Sequence, residues 1–294
     1  MTIDLKQKSS SEILKCFENL NIEDGEVIYV EVLESDIESI GYKSFIDLAQ
    51  IFFMKMLTPI HKENNTIVLK FKKLNQQNSF HKAQTSSEKY GVESQFFSVD
   101  KTKQFTFLYH YQQALKFINI DSKKRVLNLG VNKGDEFTVI KEMLTCNEFE
   151  NKEFVGIDYC ASAIEYASRE FAQDTNVTFA CQDINQLHES DLGRFDLIIS
   201  IGTLQSSNIE FNATFMSLYQ NHLEKDGSII LGFPNCRWID GEMVYGAKAP
   251  NYSFNEMSLV LKDIHFCKKY LQQKKYRVII TGKDYLFLTA RKIV

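Results

Sequence analysis

The sequence predicts an α/β protein: a doubly wound, mostly parallel sheet that ends in an antiparallel C-terminal hairpin, preceded by a small N-terminal α/β module. Three observations predict it. From Arg125 onward, short runs rich in β-branched and aromatic residues alternate with apolar residues at helical spacing, and parallel neighbours need crossovers of that kind. The last two strand candidates are separated only by Gly282, Lys283 and Asp284, too short for a crossover, so they must pair antiparallel. Ahead of both, residues 27 to 74 hold a strand-helix-strand pattern of their own.

Residues Val27 to Leu33 form an apolar, β-branched run and read as a buried strand. Ser35 with Glu38 three residues later fits a capping box, and Phe45, Leu48, Ala49, Phe52, Phe53 and Met56 recur at helical spacing until Pro59 closes the helix. Thr66 to Leu74 alternates, with Ile67, Leu69 and Phe71 on one face, so residues 27 to 74 read as a β-α-β unit. The stretch 75 to 89, NQQNSFHKAQTSSEK, has one large apolar residue, Phe80, and reads as a loop. Phe107, Leu108, Tyr111, Leu115 and Ile118 then mark one helix face.

The strands of the main sheet are expected at Val126 to Leu129, Phe154 to Ile157, Val177 to Ala180, Phe195 to Ser200 and Ile229 to Phe233. Helical spacing lies between most of them, carried by Phe137, Ile140 and Leu144, by Ala161, Ile164, Ala167 and Phe171, and by Phe215, Leu218 and Tyr219. A helix with Met257, Leu261, Ile264 and Leu271 leads into the hairpin of Arg277 to Thr281 and Tyr285 to Thr289. The 294 residues allow two domains at roughly 150 residues each. The division expected is an accessory α/β module over 1 to 100, with the polar loop at 75 to 89, and a larger domain over 101 to 294.

With 44% hydrophobic, 24% charged and 13% aromatic residues, the chain can bury a sizeable core. The richest apolar stretch, Phe45 to Leu57, is broken by Asp47, Gln50 and Lys55, short of the roughly 18 residues a bilayer span needs, so no membrane partner is expected. The opening residues MTIDLKQKSSSE lack the apolar run of a secretory signal. A formal charge of −4 gives no global attraction to phosphate backbones, which counts against nucleic acid as a partner. The six cysteines show no C-x-x-C pair and no zinc spacing, so no metal is expected and the thiols read as reduced, in a cytoplasmic protein.

The strand-turn-helix VLNLGVNKGDEF puts Gly130 and Gly134 where the first strand of the wound sheet hands over to its helix. Glycine lets such a turn bend sharply, and the helix beyond it offers free N–H groups. Downstream, FVGID ends in Asp158, where a carboxylate can accept from both hydroxyls of a ribose. A dinucleotide fingerprint would need glycines at 132 and 135; the chain has Asn132 and Asp135. An acid in the first helical turn is a poor neighbour for a pyrophosphate, which argues against NAD.

These segments resemble the class I S-adenosylmethionine-dependent methyltransferases over about 190 residues, from the helix near Phe107 to Lys292. The match is carried by VLNLGVNKG, FVGIDY, FACQDI, RFDLIISIGTLQS and LEKDGSIILGFPN in order, with the reversed terminal hairpin similar to that family's seventh strand. The resemblance implies a Rossmann-like fold, the cofactor S-adenosyl-L-methionine and methyl transfer. It implies that Asn128, Leu129, Gly130, Val131, Asn132 and Gly134 face the methionine end of the cofactor. Asp158 would hold the ribose and Tyr159 pack beside the adenine. Asp183 would accept from the adenine amino group, the Ile184 N–H would meet a ring nitrogen, and Ser200 and Ile201 would floor the sulfonium. Asp183 also reads as a helix N-cap. Two departures stand out: Asn128 replaces the usual Asp of the first motif, and Asn132 replaces the middle glycine, a position where Asn tolerates left-handed backbone.

The methyl acceptor is not named by the sequence, nor is a general base. SIGTLQSS lacks the D/N-P-P-Y/F of methyltransferases acting on nucleobase amines, so a small-molecule acceptor is expected. The segment PNCRWIDGEMVYGAKAPNYS, after the fifth strand, carries Arg237, Trp238, Tyr245 and Tyr252. It reads either as a wall of the acceptor pocket, with Arg237 meeting an anionic group, or as an ordered cover with Trp238 in a minor core. His110, between two tyrosines ahead of the first motif, is a further substrate-side candidate; His188 and His222 read as solvated. Two alternatives stay open. One is an S-adenosylmethionine-binding or interaction protein without chemistry; the other is an RNA methyltransferase docking through Lys70, Lys72, Lys73, Lys82 and Lys89.

Overall fold

The computed structural model describes residues 1–78, 90–94, 97–247 and 255–293, in two units: Met1–Lys82 with Trp238–Tyr245, and Ala83–Arg237 with Gly246–Val294. The polar stretch 79–89, with Phe80, Lys82 and Lys89, lies outside the described residues.

The first unit starts with β1 (Thr2–Asp4) and α1 (Ser10–Glu18). A reciprocal cap opens α1: the Glu12 N–H donates to Ser9 Oγ at 3.3 Å and the Ser9 N–H to the Glu12 carboxylate at 2.9 Å. Then come β2 (Val27–Leu33), α2 (Glu34–Ile40), α3 (Tyr42–Ile51), β3 (Met54–Lys62) and β4 (Thr66–Lys73). The sheet runs β1-β2-β4-β3. Alternating residues of the inner strands, Ile28, Val30 and Val32 with Ile67, Leu69 and Phe71, bury against Phe17 of α1 and Phe45 and Ala49 of α3.

Here the expectations fail in three places. The expected helix is two helices, parted at Gly41, whose φ of 85° is left-handed and open to glycine at little cost. Its cap is not Ser35 with Glu38: α2 starts at Glu34, and the Asp36 carboxylate accepts the Leu33 N–H at 2.8 Å. Met56 and Pro59 lie inside β3, an edge strand whose register shifts between Leu57 and Ile60. Proline is tolerated there because no ladder bond needs its missing N–H. The added strand also replaces the β-α-β unit with two antiparallel pairs, β2 with β4 and β3 with β4.

The second unit comprises α4 (Phe105–Phe117), β5 (Arg125–Leu129), α5 (Asp135–Met143), α6 (Cys146–Glu150), β6 (Glu153–Asp158), α7 (Ala161–Glu170), β7 (Val177–Cys181), β8 (Phe195–Ile201), α8 (Phe211–Ser217) and β9 (Leu223–Pro234). After the hairpin β10 (Cys236–Ile239) and β11 (Glu242–Tyr245) it resumes with α9 (Ser258–Gln273), β12 (Tyr276–Gly282) and β13 (Tyr285–Lys292). Seven strands form one sheet in the order β12-β13-β9-β8-β5-β6-β7. β5 to β9 run parallel, and β13 pairs antiparallel with both β9 and β12. This is the doubly wound sheet with a reversed C-terminal hairpin. β5 and β8 are buried along almost their whole length, as strands covered on both faces must be.

Chain order reverses beside β5: the chain moves outward to β6 and β7, then returns to β5's other side at β8. The carboxyl ends of strands at such a switch point border a crevice. Register aligns Leu129 with Ile157 on one side and Ser200 on the other. Among the described residues no helix is long and apolar enough to cross a membrane.

Most of the β10–β11 hairpin belongs with the first unit, where Ile239 and Val244 bury against Leu74. There the Gln50 amide donates to the Met243 carbonyl at 3.3 Å and Asn78 Nδ2 to the Asp240 carboxylate at 3.0 Å.

Candidate functional site

β5 ends at Leu129, and three left-handed residues then carry the chain into α5: Gly130 (φ 71°), Asn132 (φ 45°) and Gly134 (φ 89°). A Cβ at Gly134 would stand 2.7 Å from the Phe171 ring, so this position requires glycine by conformation and by space. Val131 is buried. The Gly130 and Val131 N–H groups donate to the Ile157 carbonyl at 2.8 and 3.1 Å, which fixes the turn against β6.

The next N–H in line, that of Asn132, donates to Asp158 Oδ2 at 3.0 Å, and the Cys160 N–H donates to Oδ1 at 3.0 Å. Asp158 is 6% exposed. Burial raises its pKa, while the N–H groups of Cys160, Asn132 and Tyr159 pull it back down. These N–H groups fix the carboxylate at the carboxyl end of β6, beside the glycine turn.

On β5 itself, Asn128 is 1% exposed, and its Nδ2 donates to Glu136 Oε2 at 3.1 Å. Its Oδ1 is buried without a hydrogen-bond partner among the described residues. Glu136, 2% exposed in the first turn of α5, has its other oxygen 2.6 Å from Lys101 Nζ. Burial works against the Lys101 ammonium, but the Glu136 and Asp135 carboxylates more than offset it and its pKa rises. The Tyr111 hydroxyl donates to the Glu136 carbonyl at 3.4 Å. Asp135 is pushed up to about 6, by burial first and by Glu136 also, against the pull of Lys101 and Lys133.

Lys101 comes from a stretch that lies along this end of the sheet. The Tyr90 carbonyl accepts from Asn132 Nδ2 at 2.9 Å, and the Tyr90 ring meets the Tyr159 ring edge-on at 6.0 Å. Burial and the nearby Asp158 raise the Tyr90 phenol, opposed by a hydrogen bond with Ser206. Lys133 Nζ donates to the Phe97 and Val99 carbonyls at 3.1 and 3.0 Å. Tyr90, Lys101, Tyr111, Lys133 and Glu136 are absent from the sequence-derived site, since nothing in their spacing links them to the glycine turn.

Ser200 and Ile201 are buried at the end of β8, with Ser200 Oγ donating to the Leu129 carbonyl at 3.4 Å. Asp183 is the N-cap of the short helical segment Ile184–Glu189, accepting from the Asn185 N–H at 2.9 Å; Ile184 behind it is buried. His110 sits half-buried on α4 with its ring edge-on to Tyr109 at 5.2 Å. Arg237 is tied to its own loop, Nε to the Gly246 carbonyl at 3.2 Å and Nη2 to Asn255 Oδ1 at 2.6 Å. Trp238 is buried and Tyr245 exposed, both in the first unit; Tyr252 lies outside the described residues. His222 is buried rather than solvated, closing the π-helical turn Leu218–His222.

Residues 120–279 match the model of a family described as a methyltransferase domain. Among solved structures, the N-methyltransferase NodS from Bradyrhizobium japonicum WM9 in complex with S-adenosyl-L-homocysteine is similar at 16% identity, covering 74% of this chain and 100% of that one, with a TM-score of 0.48. The magnesium protoporphyrin IX methyltransferase from Synechocystis PCC 6803 with bound SAM is similar at 17% identity, over 67% and 86%, with a TM-score of 0.41. The Thermus thermophilus 16S rRNA N2 G1207 methyltransferase in complex with AdoMet and guanosine is similar at 11% identity, over 99% and 73%, with a TM-score of 0.43. No curated protein matches the chain.

Proposed function

The chain belongs to the methyltransferase-domain family and is an enzyme that uses S-adenosylmethionine; from that premise we propose that the crevice at the carboxyl ends of β5, β6 and β8 seats the cofactor, with Asp158 on its ribose. The observation that carries this assignment is the buried Asp158 carboxylate at the carboxyl end of β6, fixed beside the glycine turn by the Asn132 and Cys160 N–H groups at 3.0 Å, the place from which a strand-end acid can accept from a ribose hydroxyl. A second feature fits the cofactor: the buried, unpartnered Asn128 Oδ1 is an acceptor beside the turn assigned to the methionine end. Tyr159 would flank the adenine, with Asp183 and Ile184 at its amino edge, and Ser200 and Ile201 would floor the sulfonium.

The cofactor supplies a methyl group already activated for displacement. The chain's task is then to hold two reactants in line and keep water out. The turn from Leu129 to Gly134 and the Asp158 carboxylate orient the cofactor. No base is assigned, because one is needed only for an acceptor that must lose a proton early.

We read the acceptor as a small molecule. Two features support this: the residues at and after the end of β8, Ser200 to Ser207, lack the tetrapeptide of the nucleobase-amine enzymes, and the chain's formal charge is −4. A cytoplasmic location accords with six cysteines of which none is in a disulfide.

Calorimetric titration with S-adenosylmethionine, S-adenosylhomocysteine and NAD tests the site. Wild type should bind both adenosyl ligands and Asp158→Ala should lose both; retention by the variant would remove Asp158 from the site. For the acceptor, label from methyl-tritiated cofactor should enter the small-molecule fraction of a cell extract, and label in RNA alone would overturn that reading.

A further inference from the structure

The proposed cofactor site lacks an acid where its turn would hold one, at Asn128, but a carboxylate stands beside that position. Asn128 Nδ2 donates to Glu136 Oε2 at 3.1 Å, which brings the acid of the first α5 turn against the end of β5. Glu136 and Asn128 are 2% and 1% exposed, so the carboxylate is out of water and its negative charge must be met within the protein. The group that meets it is an ammonium, Lys101 Nζ at 2.6 Å. An ammonium has three donors, and a buried acceptor without a partner, Asn128 Oδ1, belongs to the very amide that holds Glu136.

Resting on the functional reading above, we propose that Glu136 supplies the negative charge missing at Asn128, and that Lys101 occupies the place which the cofactor's own α-ammonium takes on binding.

The exchange is chemically even. One primary ammonium replaces another on the same carboxylate, no charge is created, and the incoming group gains Asn128 Oδ1 as a further acceptor. Asn128 is then a positioning residue, since its amide orients Glu136 through Nδ2. Lys101 lies in the turn Lys101–Lys103 just ahead of α4, outside the sheet, so it can leave without unpairing a strand. Its stretch is tied separately through Lys133 to the Phe97 and Val99 carbonyls, which keeps it close while the ammonium exchanges.

The test compares two ligands that differ only in the amino-acid end: S-adenosylhomocysteine, which has the ammonium, and 5′-methylthioadenosine, which does not. Both are titrated calorimetrically into wild type, Glu136→Gln, Lys101→Met and the paired variant Lys101→Met/Glu136→Gln, which removes both partners of the buried ion pair and keeps the test open if Glu136→Gln fails to fold. Losing a charged hydrogen bond should weaken S-adenosylhomocysteine on the order of 10-fold or more in both proteins that carry Glu136→Gln, with 5′-methylthioadenosine within about 2-fold of wild type. Lys101→Met should bind S-adenosylhomocysteine more tightly than wild type, because no resident ammonium need be displaced. Asn128→Asp added to Glu136→Gln should recover the lost affinity. Equal loss of both ligands, unchanged S-adenosylhomocysteine affinity in the Glu136→Gln proteins, or weaker binding by Lys101→Met would each overturn the proposal. If wild type binds neither ligand, the cofactor assignment itself fails and the inference falls with it.

Discussion

The Asn132 N–H lies 3.0 Å from Asp158 Oδ2, so the residue in the middle of the glycine-rich turn also holds the acid at the end of the neighbouring strand. A left-handed φ of 45° aims that N–H across to β6. Asparagine is among the few side-chain-bearing residues for which this conformation is cheap. The loss of glycine at this position therefore costs the turn little, and the side chain gains a bond of 2.9 Å to the Tyr90 carbonyl.

Replacing Asn132 separates these two contributions. Asn132→Ala keeps the N–H but puts an unsuitable residue in left-handed backbone and removes the bond to Tyr90; it should lower unfolding stability by about 1–2 kcal/mol. Asn132→Gly restores an easy backbone and loses only the side-chain bond, so it should cost less, about 0.5–1 kcal/mol. Urea unfolding of the three proteins checks the order. Alanine equal to or better than glycine would mean that the backbone conformation contributes nothing.

Gly134 should be less tolerant than Asn132. At φ 89°, with the Phe171 ring 2.7 Å from a would-be Cβ, Gly134→Ala meets both strain and a clash, for a loss of about 2–3 kcal/mol. The same variant should bind S-adenosylhomocysteine less well, since Phe171 closes α7 and the turn cannot relax without moving α5. Unchanged melting and unchanged affinity would show that the turn is slack.

The strands flanking the site are legible in the sequence because burial on both faces turns them into apolar runs that need no partner to be noticed: β5 starts one residue before its expected position, and β8 ends one after. β9 starts earlier than its apolar run because Glu224, Lys225 and Asp226, exposed at its start, carry no strand signal. In the first unit, helical spacing persists by accident through Met56 into β3, and nothing local reveals an edge strand. β1 and α1 have no counterpart among the expected elements, although Ser9 and Glu12 carry the very cap pattern that fails at Ser35. The site divides in the same way. The glycine turn and Asp158 are set by local sequence, whereas Lys101 reaches Glu136 and Tyr90 reaches Asn132 only through the folded chain.

Thiol reactivity should follow burial. Cys146 and Cys181 are exposed, whereas Cys160, Cys236 and Cys267 are buried, and burial pushes the Cys236 thiol up to about 12. Thiolate is the reactive form. Under native conditions at pH 8, iodoacetamide should label Cys146 and Cys181 first and the three buried thiols only after unfolding, read by peptide mass spectrometry. Early labelling of Cys236 would mean that the start of β10 opens to solvent.

Asp135 gives the fold a pH dependence whose sign is fixed by its environment. Its carboxyl ionises near 6 in the folded protein against 3.8 as its ordinary value, because burial and Glu136 outweigh Lys101 and Lys133. The folded state therefore holds this proton more tightly than the unfolded chain, and stability falls as pH rises from about 4 to about 6. Above that window the ionised carboxylate costs about 1–3 kcal/mol, the lower end applying because the side chain is 21% exposed. Asp135→Asn removes the titration, so it should be more stable than wild type at pH 7.5 and lose that advantage near pH 4. Urea unfolding of both proteins at the two pH values isolates Asp135 together with the groups coupled to it, since titrating groups remote from it cancel in the difference. A gap that stays constant with pH would show that Asp135 ionises as it does in the unfolded chain.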